Sequence, residues 1–140
     1  MSFREKSAYV MLVAVLAAVV WFGAAVYDPS NTRTWLSETT EPLILGVLLI
    51  LTIVAIVGHS IVAARNPEEA NAPFDERERQ IVATARSFGY NTLIAGVLAS
   101  FGLLHVNGSL HIFAHLISFS MLFSWLAFYG SQIVLFRRGV

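Results

Sequence analysis

Apolar and polar residues fall in long blocks along this chain, not at the short period of a single amphipathic element. Apolar blocks run from Ala8 to Tyr27, from Leu43 to Ala64, from about Phe88 to Leu104 and from Leu110 to Phe136. The first contains no charge, and only Thr52, His59 and Ser60 are polar in the second. Each is long enough to cross a hydrocarbon core of about 30 Å as a helix. Helices are required there because backbone groups cannot stay unpaired in lipid. The pattern predicts an all-α integral membrane protein: a four-helix bundle, up-down-up-down, forming one transmembrane domain over 1–140. The first block is too long for a secretory leader, and no small-residue cleavage site precedes the polar loop, so it is expected to be a span.

Helix boundaries follow from start and stop chemistry. Ser2 with Glu5 reads as a capping box opening the first helix, and Asp28-Pro29-Ser30-Asn31 stops it. Pro42 suits the first turn of the second helix, and Asn66-Pro67 ends that helix. Asp75 with Glu78 is a second capping pattern, so the third helix is expected to begin at Asp75, in water. Its first three turns then stand outside the bilayer, with Ile81, Ala85 and Phe88 as their apolar stripe. Asn107-Gly108 reads as a tight turn, and Ser109 as the cap of the fourth helix. The helices are thus expected at about 3–27, 42–64, 75–105 and 109–137, with an inner linker over 65–74.

Charge sets the orientation. With both termini inside, the inner segments hold Arg4, Lys6, Arg65, Arg77, Arg79, Arg86, Arg137 and Arg138, and the outer segments hold Arg33 alone. Eight against one is a strong positive-inside bias, which predicts a multi-pass membrane protein with cytoplasmic termini. Tyr9, Tyr27 and Tyr90 fall near the predicted interfaces, Trp35-Leu36 lies in the outer loop, and Asp28, Glu38 and Glu41 make that face mildly acidic.

Composition removes further classes. Hydrophobic residues are 56% of the chain and charged residues 13%, too little charge for the surface of a small soluble domain. Net charge is zero, so no basic field points to nucleic acid. There are no cysteines, which excludes disulfide exchange, thiolate catalysis and Cys-ligated zinc or iron–sulfur centres. No Asp, Glu, Lys or Arg lies in the middle of a predicted span, where proton-coupled transporters need one.

Two stretches resemble a known family. Asp75-Glu76-Arg77-Glu78-Arg79-Gln80-Ile81, followed by Ala85, Gly89 and Tyr90, is one; Gln132-Ile133-Val134-Leu135-Phe136-Arg137-Arg138-Gly139-Val140 is the other. Together they resemble an uncharacterised family of small bacterial four-helix membrane proteins. In that family an Asp-Glu-Arg motif opens the third helix and an aromatic-Arg-Arg-Gly motif closes the fourth. The resemblance implies the four-helix layout and, because some relatives sit beside small helix-turn-helix regulators, a regulatory or accessory role.

Three constellations can carry function. Asp75, Glu76, Arg77 and Glu78 open the third helix, and Arg137 and Arg138 close the fourth, so all six are expected on the inner face. They make either an ion-pair girdle at the headgroups, with Arg137 and Arg138 touching anionic lipid, or a docking surface for a cytoplasmic partner or second protomer. His105, His111 and His115 are expected at outer depth. His111 and His115 share a face by i, i+4 spacing, and His105 sits across the turn. They read either as polar groups at the interface or as ligands for Zn, Cu or, with splayed helices, haem. His59 lies on the other side and would meet an equivalent only in a homodimer. Ser120, Ser124, Ala127 and Ser131, Gly96 with Ser100, Ala95 with Ala99, and Ala14 with Ala18 are small-residue rows, the packing code of helices in lipid. Asn91, an amide in the third span, reads as interhelix glue.

The leading expectation is a non-enzymatic accessory or regulatory membrane protein whose charged inner face contacts a partner in a homodimer or larger complex. The alternative is a metal- or haem-binding protein with an outer histidine site, and the third is a small transporter or pore.

Overall fold

The computed structural model describes residues 3–26, 40–65 and 67–138, the side chains of 25, 40–44 and 107 apart. Its helices are α1 (Phe3–Val26), α2 (Thr40–Arg65), α3 (Pro67–Asn71), α4 (Glu76–Asn107) and α5 (Leu110–Arg138). No strand occurs among the described residues. Four of the helices, α1, α2, α4 and α5, are long and apolar enough to cross a membrane. Ser2, residues 27–39, Asn66, and the side chain of Glu41 lie outside the described residues. With them lie the first capping box, the stop after the first helix and the outer loop.

The caps explain the best-defined boundaries. Asp75 is extended (φ −66°, ψ 153°), and its carboxylate accepts from the Glu76 N–H at 2.7 Å. The Asp75 N–H in turn donates to Glu78 Oε2 at 3.4 Å, closing the expected capping box. From there α4 runs unbroken through Arg79 and Ser87 to Asn107. It ends at Gly108, whose φ of 64° is the left-handed region that glycine enters without steric cost, and whose N–H donates to the Leu104 carbonyl at 2.7 Å. Ser109 then starts α5: its Oγ accepts from the Ile112 N–H at 3.4 Å, and its carbonyl from the Phe113 N–H at 3.1 Å. The linker expected over 65–74 contains the short helix α3. Pro67 occupies its first position, where its missing N–H costs nothing, and Asn71 Nδ2 donates back to the Pro67 carbonyl at 2.9 Å.

α1 packs on α2 and α5, and α5 packs on α4. α1 and α5 therefore form the centre, with α2 and α4 on the flanks. The core cluster joins Val15, Ala18 and Phe22 of α1 to Val47 and Leu51 of α2 and Leu122 of α5. Phe22 is edge-on to Phe119 at 4.9 Å between ring centroids. The outer surface is as apolar as the core: Leu45 is 67% exposed, Leu98 66% and Val20 69%. In water this surface would be an aggregation patch; against acyl chains it is ordinary.

The α4–α5 seam is built from small residues. Ala85 and Ser100 of α4 are buried, with Gly89 between them, and Ser120 and Ser124 of α5 are buried opposite. A Cβ at Gly89 would stand 3.0 Å from Phe128 Cβ, and one at Gly96 would overlap the Ser120 side chain. Ser124 Oγ donates across the seam to the Gly89 carbonyl at 2.9 Å. The expected stripe of Ile81, Ala85 and Phe88 is corrected here. Ile81 and Ala85 are buried, but Phe88 is 54% exposed and Gly89 takes the inward position. The spacing 81, 85, 89 keeps the backbones close, which a phenyl ring would prevent. Ala95 and Ala99 are likewise exposed and lie outside the seam.

Candidate functional site

The charged motifs gather at one end of the molecule. Arg4 near the start of α1 forms an ion pair through Nη1 with Glu78 Oε2 in the first turn of α4. The same guanidinium donates through Nη2 to the Ala72 carbonyl at 3.1 Å and lies 3.5 Å from the Phe74 ring centroid. One side chain thus ties α1 to the first turn of α4 by charge and to the segment before α4 by hydrogen bond and cation–π contact. At 14% and 18% side-chain exposure, the Arg4–Glu78 pair is sheltered enough to outlast an open surface pair.

The close of α5 joins the same end. Arg77 Nη2 donates to the Phe136 carbonyl at 3.4 Å, which satisfies one of the carbonyls left without an intrahelical donor in the last turn of α5. Arg137 reaches over Tyr9 of α1, 5.6 Å from the ring centroid. Arg138 is exposed. The six predicted residues therefore share one end, but with different partners from those expected. Asp75 caps, Glu78 pairs with Arg4, Arg77 bonds backbone, and Arg137 stacks on an aromatic ring. Glu76 stays exposed. Arg4 was legible only as one inner charge, because its partner lies 74 positions away in the chain.

Two cavities open at this end. One, of about 460 Å³, is bordered by Phe3, Arg4, Glu69, Asp75, Arg77 and Phe136, so its lining carries both acids and bases. The other, of about 350 Å³, separates α2 from α4 over a floor given by α1 and α5. Ser7, His59 and Gln132 line it, and Ser7 and Gln132 are buried. His59 Nδ1–H donates to the Ala55 carbonyl of its own helix at 2.7 Å. Gln132 stood in the sequence only as the opening of the C-terminal motif; its burial here is a feature that spacing alone does not reveal.

The histidines at the other end are not brought together. His105 and His111 are exposed, whereas His115 is buried at 9% exposure. His115 Nδ1–H donates to the His111 carbonyl at 2.7 Å, and its ring stacks on Phe22 with centroids 6.1 Å apart. The i, i+4 relation thus links the imidazole of one histidine to the backbone of the other, not ring to ring. Among the described residues no group of three His, Cys, Asp or Glu is placed to hold a metal ion, so His105, His111 and His115 are not grouped here as the alternative reading, a ligand set, would have them. His105 instead sits in the last turn of α4.

Ser118, Ser120 and Thr92 return their hydroxyls to carbonyls four residues back, the usual way a hydroxyl is satisfied within a membrane helix. No family model, curated protein or solved structure matches the chain.

Proposed function

We propose that this is a non-enzymatic accessory or regulatory protein of a bacterial inner membrane, with both termini cytoplasmic, that acts by contact through its charged end. The observation behind the reading is the mixed-charge cavity of about 460 Å³ between Arg4, Glu69, Asp75 and Arg77. Around it stand exposed groups of both signs: Glu68, Glu76, Arg79 and Arg138. Asp75 and Glu78 hold the scaffold in shape, which leaves the exposed neighbours to meet a partner. A rim of mixed charge favours register and choice of partner more than raw affinity. The orientation rests on eight basic residues against one.

A photoreactive amino acid at Glu76 tests this reading in native membranes. The expected result is a discrete protein adduct from position 76, at twice the chain mass for a homodimer or at another fixed mass for a different partner. The same probe at Leu98, on the apolar surface of α4, serves as the reference and yields lipid adducts alone. Identical products at the two positions would overturn the proposal. A reporter fused after Val140 tests the orientation separately; activity outside the cytoplasm would refute it.

A further inference from the structure

Away from the charged end, α1 and α2 pack through Val15, Ala18, Val47 and Leu51 on their core side but leave the outward side open. They touch where Val10 meets Gly58, at a point where an added Cβ would lie 2.6 Å from Val10 Cγ1. They approach again where Trp21 comes within 4.0 Å of a Cβ built on Gly46. Between these points a groove of about 700 Å³ opens. Its walls are Val13, Ala14 and Ala17 of α1 with Ile50 and Val54 of α2, and Tyr9 and Trp21 stand at its two ends. The small side chains on α1 make it concave.

We propose that this groove retains one acyl chain of an anionic phospholipid, with the lipid phosphate held by Lys6 and Arg137. Three observations argue for that occupant, and none depends on the contact role of the charged end. From Tyr9 to Trp21 the groove follows about 18 Å of helix at 1.5 Å per residue. That is close to one leaflet, about half of a ~30 Å hydrocarbon core. The lining is apolar throughout its length, and an aromatic ring marks the end nearest the charged residues, as at a headgroup boundary. Finally, the cations stand at that same end. Arg137 lies 5.6 Å over the Tyr9 ring, and Lys6 occupies the α1 face that continues through Val10, Val13 and Ala17 at helical spacing. Both long side chains can lay their stems along the helix and present charge at phosphate level.

Native mass spectrometry of the full chain tests this after equilibration with mixed vesicles of phosphatidylglycerol and phosphatidylcholine. One phosphatidylglycerol per chain is expected to survive release from the detergent micelle. Lys6→Gln and Arg137→Gln should each lower the preference for phosphatidylglycerol about fivefold, the scale of one basic group at an anionic membrane surface. Ala17→Trp fills the groove from an exposed position and should abolish retention of either lipid, with the helical circular dichroism unchanged. Equal retention of the two lipids, retention unaffected by Ala17→Trp, or no retained lipid at all would overturn the proposal. A lipid-free dimer that Ala17→Trp splits would overturn it in favour of a second copy as the occupant. Because the glutamine variants read lipid preference on a folded chain, the test stands even if Ala17→Trp perturbs folding.

Discussion

The two helix pairs of this molecule solve the same packing problem differently. α4 and α5 lie against each other along a seam of Ala85, Gly89, Gly96 and Ser100 facing Ser120 and Ser124, with a hydroxyl bonded across it. α1 and α2 meet on their core side through Val15, Ala18, Val47 and Leu51 and where Val10 approaches Gly58, but leave a groove on their outward side. In water both pairs would be driven together by burial. In lipid that drive is missing, and close van der Waals contact and interhelical hydrogen bonds decide. The comparison teaches that small residues close a membrane seam when they face small residues, as on α4 and α5. When they face Ile50 and Val54, as Ala14 and Ala17 do, they leave a cavity.

The sharpest way to break the comparison is Gly96→Leu. The new side chain overlaps Ser120 and must push α4 off α5, with a cost of about 3 kcal/mol expected for overpacking at a closed seam. Reversible unfolding in mixed micelles measures it; a cost under ~1 kcal/mol would mean that the seam is looser than described. Gly58→Leu should cost less, about 1–2 kcal/mol, because Val10 is a side chain that can rotate and the groove beside it gives room for α2 to shift. If Gly58→Leu proved the more damaging of the two, the contrast between the pairs would be reversed. Smallest is Ser124→Ala, expected to lose about 0.6 kcal/mol, the typical worth of an interhelical hydrogen bond in a membrane protein. Ala99→Leu, on the exposed face of α4, is the companion measurement and should fall within about 0.5 kcal/mol of the parent.

Much of the fold could be read from the chain because the relevant chemistry is local. Four apolar blocks became four long helices, and the Asp75 box, Gly108 and Ser109 set boundaries by bonds to residues within four positions. What the sequence did not reveal was which side of each helix faces inward. A helix in water advertises its buried face by contrast with polar neighbours; a helix between protein and lipid has apolar residues all round. Phe88, Ala95 and Ala99 were therefore assigned to an inner stripe or a packing row, and the structure exposes all three. Long-range pairing was equally hidden. Glu78 takes Arg4, not an arginine at the close of α5, because the choice depends on how α1 approaches α4. The histidines show a third limit. Spacing put His111 and His115 on one face, but the imidazole of His115 turns back to a carbonyl of its own helix and stacks on Phe22.

The position of α1 also has a consequence in time. Its neighbours are α2, which follows it directly, and α5, the last of the long helices along the chain. While the chain is being made, Val15 and Phe22 must therefore wait in lipid until Leu122 and Phe119 arrive. The α4–α5 hairpin needs no such delay, since its turn is only Gly108 and Ser109 and its seam joins consecutive helices. Chain order thus makes both pairs of consecutive helices available before the first helix can meet the last. A nascent chain arrested before Leu110 would hold α1 through α2 and through the Arg4–Glu78 pair, without the α5 side of its core.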